Sequence, residues 1–346
     1  MNLHPVETLL ATLPKAELHL HLEGAIEPAT LVELAARYGV PLTPEEAAAR
    51  YAYRDFLGFL EAFKWVTSFL RAPADYALIT ERLAEQLLRQ NVVYAEVTLS
   101  VGVMLRREQD PEANFAAIRE AAARAQAKGL RLRWVFDAVR QFGPEAAMEV
   151  ARFAAQMKAG DVVAFWMGGD ELAVPAVEFR RVYDYVARQG LHRLVHAGEV
   201  GGPETVREAV ELLGAERIGH GIAAMRDERT MDFLAARQIP LEICPTSNLL
   251  TGALARQLGH TDARPEDHPL RRFFRRGLGV TLATDDPAMF HTDLVGEYRL
   301  AFTLGMKPDE LTRIAERGFE FAFLPAHEKR ALLEAFRVQT NALGLI

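Results

Sequence analysis

Residues 17–24 read ELHLHLEG, with two histidines one residue apart in a run of strand-forming residues. Alternation along a strand sends Leu18, Leu20 and Leu22 to one face and His19, His21 and Glu23 to the other. Two imidazoles on one buried face need partners. Three other stretches can supply them: HAGEVGG (196–202), RIGHGI (217–222) and TDDPAMF (284–290). Three histidines and a carboxylate suit a divalent cation, and imidazole with carboxylate favours zinc. Cys244 is the lone cysteine, so a thiolate-rich structural site is excluded. An open position for water, and therefore catalysis, is the expected arrangement. Taken alone, the His19-x-His21 pair also admits a purely structural reading.

HAGE adds a second chemical group. His196 ends a strand-like run and Glu199 follows three residues on, with Gly198 between to let the chain turn. A carboxyl there can reach a group bound opposite a metal and act as general acid or base. The alternative is a charge placed at the start of the helix expected over 203–213. Beside a metal-type histidine the catalytic reading is preferred.

These groups need elements to hold them. Apolar or β-branched runs occur at 16–22, 92–99, 130–139, 162–167, 191–196, 216–219, 239–244 and 279–285. Helical spacing fills the gaps, as at 76–90, 112–128, 145–158, 203–213 and 227–237. The segment 255–268 reads as the most polar loop. Eight runs separated by helices predict an α/β protein, a (β/α)8 TIM barrel, with a doubly wound open sheet as the rival. His21, Asp137, Gly168, His196, His220, Cys244 and Asp285 all fall at the C-terminal ends of their runs, where barrels collect catalytic groups. The barrel is favoured, as one domain over 1–346.

A chain of 346 residues with net charge -7 and pI near 5.9 gives no electrostatic reason to expect nucleic acid. No apolar run reaches the roughly 20 residues of a membrane span. The first residues carry no basic region ahead of an apolar stretch, so no signal peptide is expected. With a single cysteine, a cytoplasmic location is the default expectation.

Together, ELHLHLEG, GGDE (168–171), HAGE, GHG (219–221), CPTSNL (244–249) and TDDP (284–287) resemble the motif set of the adenosine deaminase family, in the family's order and over nearly the whole chain. The resemblance implies an amidohydrolase barrel with one zinc ion per chain. It also implies hydrolytic deamination of a small-molecule aminopurine at C6. By that resemblance His19, His21, His196 and Asp285 are the zinc ligands, and Glu199 protonates purine N1. His220 orients or deprotonates the attacking water, Asp286 holds that water and contacts N7, and the backbone of Gly169 contacts N3. Breaking aromaticity at C6 needs a strong nucleophile at neutral pH, which a metal provides by lowering the pKa of water to about 7. Glu199 must then stay protonated, which predicts surroundings that raise its pKa.

Several positions depart from the adenosine-specific pattern. Glu23 stands where adenosine deaminases usually carry an Asp that contacts the ribose 5′-hydroxyl, and its carboxylate is expected to bind substrate on the ribose side. Thr98, Trp166 with Met167, and Met289-Phe290-His291 also differ. The altered 5′ side favours the branch acting on 6-amino-6-deoxyfutalosine, a menaquinone-pathway nucleoside with a carboxyphenyl group beyond the ribose. Adenosine or 2′-deoxyadenosine is the alternative; adenine, or a non-catalytic purine-binding barrel, ranks lower. A binuclear amidohydrolase site is disfavoured, because the run 162–167 ends in Trp166 and Met167 without a bridging ligand. Phe56, Phe59, Leu60 and Phe63 have helical spacing. The resemblance makes Phe59, Leu60 and Phe63 a lid over the ribose, against simple core packing. Cys244 and Ser247 are expected to be structural supports, and His4, His192, His260, His268 and His327 surface or loop histidines. His291 has no assigned role.

Overall fold

The computed structural model describes residues 4–53 and 56–342. Among them, eight parallel strands neighbour one another in sequence order: β1 (Lys15–His21), β2 (Val92–Leu99), β3 (Arg131–Val139), β4 (Val162–Gly168), β5 (His192–Ala197), β6 (Arg217–His220), β7 (Leu241–Ile243) and β8 (Val280–Leu282). Main-chain bonds close the ring just past β8: His21 N donates to Asp285 O at 2.8 Å, and Asp285 N to His19 O at 2.9 Å. This is the expected (β/α)8 barrel. Each run read from the sequence overlaps one strand. Such strands are buried along most of their length, β2 and β3 included, because helices cover their outer face and side chains fill the interior.

Local signals set the helices. Asp110 caps the helix Pro111–Gln126, its carboxylate accepting the N–H groups of Glu112 and Ala113 at 3.0 Å, with proline at the first turn. Between β1 and β2 the chain makes a long excursion through the helices Pro28–Arg37, Pro44–Arg50, Phe56–Thr67 and Pro73–Arg89. That excursion brings Phe59, Leu60 and Phe63 to the C-terminal mouth of the barrel. The side chain of Phe56 lies outside the described residues. No helix among the described residues is long and apolar enough to cross a membrane.

Two expectations need correction. β1 does not alternate regularly: its pairing with β2 slips between Glu17 and Leu20. Glu17 consequently lines a cavity behind the strand with Leu20 and Leu83, while His19 faces the other strand-end histidines. The segment 255–268 is not simply a polar loop. It contains the end of the helix Ala253–Leu258 and a short 3-10 turn, Pro265–Asp267, and ends in a buried His268.

Inside the barrel, Arg217 of β6 pairs with Glu96 of β2 and Glu242 of β7, all at most 1% exposed. It also donates to Phe321 O at 2.7 Å and lies over the Phe323 ring. Removing the cation would leave two carboxylates buried without it. Arg217→Met is expected to cost about 3–5 kcal/mol in denaturant unfolding. An unchanged midpoint would show that the carboxylates are satisfied some other way.

Candidate active site

The C-terminal mouth brings the predicted groups together. His19 Nε2 lies 3.0 Å from His196 Nε2 and 3.3 Å from Asp285 Oδ1. His21 Nε2 approaches the same Asp285 oxygen at 3.4 Å. His220 Nε2 is 3.8 Å from Asp285 Oδ2 and 3.6 Å from Glu199 Oε2. Among the described residues, one group of histidine, cysteine and carboxylate donors can meet at a single ion: His19, His196, His220 and Asp285, with donor atoms within 4.8 Å of one another. His21 is not part of that group, although its Nε2 approaches Asp285 Oδ1.

The donor chemistry fits a divalent cation. Burial lowers the His19 imidazole to about 4 and holds His21 and His196 below the usual range, so all three are neutral and able to ligate. Burial would push Asp285 up, but the His19 hydrogen bond and the neighbouring imidazoles outweigh it and keep the carboxyl well below its ordinary value. Such a set of neutral imidazoles around one carboxylate has the donor chemistry to hold a divalent cation.

Outer contacts orient these groups. His19 Nδ1 faces Glu242 Oε2 at 3.5 Å and the Cys244 sulfur at 3.7 Å, which ties the cluster to the Arg217 network. Ser247 donates to Asp285 Oδ2 at 2.7 Å. Burial pushes the Cys244 thiol up, so it is a poor nucleophile, as a supporting role requires. Trp166 packs edge-on against His19 and His196, with ring centres 4.6 and 4.9 Å apart, and walls the cluster. His220 and Asp285 adopt left-handed backbone, φ 63° each. That conformation is costly outside glycine and is found where a site over-determines it.

Glu199 sits on a loop clamped from two sides. The Glu171 carboxylate accepts N–H bonds from Gly198 (2.6 Å), Glu199 (3.1 Å), Val200 (2.8 Å) and Gly201 (2.9 Å). From the other side Gln257 Nε2 donates to Glu199 O at 2.9 Å and Gly201 O at 2.8 Å. Gly198 supplies the turn with φ 69°, where a Cβ would meet Val206 at 2.4 Å. Burial raises the Glu199 carboxyl, the direction expected of a proton donor. Burial, then the charge of adjacent Asp285, pushes Asp286 well up.

A cavity of about 470 Å³ opens onto this cluster, a size suited to a small molecule. His21, His196, His220, Glu199, Asp285 and Asp286 line its deep end, and Gly169, Asp137 and Ser100 its wall. Phe59, Leu60 and Phe63 line its outer part, and Phe59 stacks on Phe290 with ring centres 5.1 Å apart. Glu23, expected to bind substrate, is not among the lining residues: it is buried, with Oε1 accepting the Ser100 N–H at 3.0 Å and Oε2 without a hydrogen-bond partner among the described residues. His291 Nε2 stands 3.1 Å from Tyr51 O.

Gly24 makes room for Asp286. A Cβ on Gly24 would lie 1.8 Å from Asp286 Oδ1. Gly24→Ala is therefore expected to displace that carboxyl and lower kcat/KM by about 10²-fold, the scale of an ångström-sized misplacement. Near wild-type kcat/KM in the folded variant would show that Asp286 has no fixed position to lose.

Sequence reasoning missed several contributors. Glu171 was visible as part of GGDE, but its clamp on a distant loop was not. Asn248 was visible in CPTSNL, and Gln257 in no motif. His268, expected at the surface or in a loop, is buried, 3.3 Å from Asn248 Oδ1. His192, by contrast, is partly exposed, paired with Glu216 and stacked on Phe323.

A (β/α)8 barrel with a buried histidine–carboxylate cluster at its C-terminal mouth defines an amidohydrolase-type metal-site enzyme. A family model described as adenosine deaminase matches residues 14–339, and the chain belongs to that family. It is 39% identical to the aminodeoxyfutalosine deaminase of Streptomyces coelicolor, over 97% of this chain and 87% of that protein. It is 34% identical to the adenine deaminase of Rhizobium meliloti, over 95% and 100% respectively. The crystal structure of an amidohydrolase from Burkholderia ambifaria with bound Zn superposes with a TM-score of 0.86 at 26% identity, covering 99% of this chain and 95% of that one. The protein is a hydrolytic deaminase.

Proposed function

We propose that this enzyme hydrolyses the exocyclic C6–N bond of 6-amino-6-deoxyfutalosine, in the cytoplasm, with adenosine as the alternative substrate. The reading is carried by the two ends of one cavity. Its deep end holds the histidine–carboxylate cluster and Glu199, while Lys64, Arg106 and Arg107 line its outer end. Arg107 is tied to Thr67, but Lys64 and Arg106 make no side-chain hydrogen bond or ion pair among the described residues. Cations left free beside aromatic groups suit a substrate with an anionic aromatic group beyond the ribose. Adenosine would leave them idle.

His19, His21, His196 and Asp285 would hold one zinc ion, which when bound supplies a water of lowered pKa. The chain's own groups do the rest. Phe59, Leu60 and Phe63 cover the ribose and exclude solvent. The Gly169 N–H donates to purine N3 and Asp286 engages N7, which fixes the ring with C6 toward the cluster. Glu199 gives its proton to N1 as water adds at C6. Collapse of that adduct breaks the C6–N bond: one proton of the water goes to the amino group, which leaves as ammonia, the other returns to Glu199, and a 6-oxopurine protonated at N1 remains. Glu23 acts from behind, holding Ser100 and so the wall on the ribose side.

The test is kcat/KM for zinc-loaded protein with 6-amino-6-deoxyfutalosine, adenosine, 2′-deoxyadenosine and adenine. The first is expected to lead adenosine by roughly tenfold or more, the value of one charge-assisted contact. A lead for adenosine or adenine would overturn the substrate assignment and leave the deaminase class intact.

A further inference from the structure

His220 can serve this site in three incompatible ways. It can bind a metal through Nε2, take a proton there as a base, or donate a hydrogen bond from it. The first two need a bare Nε2 and the third a protonated one. Which holds is fixed by whatever the other ring nitrogen touches.

The answer starts at a proton whose place is fixed covalently. The Leu270 backbone N–H donates to His268 Nδ1 at 3.2 Å, so that nitrogen carries no proton. His268 is buried, which lowers its imidazole to about 3 and keeps it neutral. A neutral imidazole carries one proton, which must then sit on Nε2. His268 Nε2 lies 3.3 Å from Asn248 Oδ1 and donates to it. The reverse orientation of the Asn248 amide would set two donors face to face. Asn248 therefore turns its Nδ2 to His220 Nδ1, at 3.0 Å. With Nδ1 accepting, the proton of the His220 ring sits on Nε2. Asn248 is wholly buried and His220 nearly so. Water offers neither an alternative partner.

We infer that Asn248 and His268 are positioning residues that hold His220 as the Nε2–H tautomer, so that His220 acts as a hydrogen-bond donor and is neither a metal ligand nor a general base. Its Nε2–H is directed into the space between Glu199 Oε2 and Asp285 Oδ2. A group there donates to the attacking oxygen and fixes its approach to C6. The catalytic consequence rests on the deaminase reading above, but the tautomer does not. His21 rather than His220 then completes the ligand set with His19, His196 and Asp285.

The inference can be read without turnover. Protein labelled with 15N-histidine separates protonated from bare imidazole nitrogens by NMR, and His220→Gln assigns the His220 signals. The expected spectrum has His220 protonated at Nε2 and bare at Nδ1, before and after zinc is added, while His19 and His196 shift on loading. A His220 ring protonated at Nδ1, or one that loses its Nε2 proton on zinc loading, would overturn the inference.

Kinetics supply the second arm. Asn248→Asp offers His220 Nδ1 an acceptor and should move the proton there. The expected cost is about 10²- to 10⁴-fold in kcat, the scale of a wrong catalytic tautomer, with KM changed by less than about threefold. His268→Gln keeps a donor to Asn248 Oδ1 and should retain kcat within about fivefold; His268→Leu should not. If Asn248→Asp fails to fold, the His268 pair decides. Equal kcat in His268→Gln and His268→Leu, or wild-type kcat in a folded Asn248→Asp, would overturn the positioning role. An Nε2–H tautomer in an enzyme that deaminates no aminopurine would leave the tautomer standing and sink the catalytic reading.

Discussion

Glu199→Gln is expected to leave the fold and the metal in place and to lower kcat by at least about 10²-fold. The amide keeps the size of the side chain, and the loop that carries it is held by main-chain bonds to Glu171 and Gln257, which the substitution does not touch. What is lost is the transferable proton. Burial raises this carboxyl, so its acid form persists to higher pH than in a solvated glutamate. With Glu199 as the proposed proton donor, the protonated form is the active one, and wild-type kcat should fall as pH rises through the raised value. The residual rate of Glu199→Gln should lack that alkaline limb. A folded, metal-loaded variant with near-full turnover would remove Glu199 from the mechanism.

His19→Ala and Asp285→Ala are expected to lose the bound metal and, with it, essentially all activity. His19 lies within 3.0 Å of His196 and 3.3 Å of Asp285, so its loss opens the centre of the cluster. Asp285 provides the carboxylate that both His19 and His21 approach. Stability should fall modestly in each case. A metal site in a barrel of this size is not its main source of folding energy, unlike the site of a small zinc finger. Asp285→Ala carries a small added cost, because aspartate tolerates φ 63° better than alanine does. Stoichiometric metal in either purified variant would refute its assignment as a ligand.

The sequence made the barrel legible because its strands are short apolar runs and its polar groups stand at their ends. His21, His196, His220 and Asp285 could be placed on one rim before any coordinates, since strand ends of a parallel barrel share a face. Alternation failed at β1, where the slip between Glu17 and Leu20 turns Glu17 away from His19. A bulge of that kind depends on pairing with β2 and leaves no mark in the local sequence. His268 failed for a related reason. The residues before it are polar, yet packing against Asn248 buries it, and that contact spans 20 positions. Glu171 was legible as a motif but not as a clamp, because the N–H groups it receives lie about 30 positions away. The rim cations Lys64 and Arg106 belong to none of the motifs. Their place at the cavity mouth comes from the long excursion between β1 and β2.

The most direct measurement of the central claim is ammonia released per 6-oxopurine formed, comparing metal-stripped protein with protein carrying one equivalent of zinc. Metal-dependent hydrolytic deamination predicts one ammonia for each 6-oxopurine in the loaded enzyme, turnover lost on stripping, and recovery on adding one equivalent back. Full turnover in the stripped protein, or a need for two equivalents, would contradict a single-metal site built on His19, His21, His196 and Asp285.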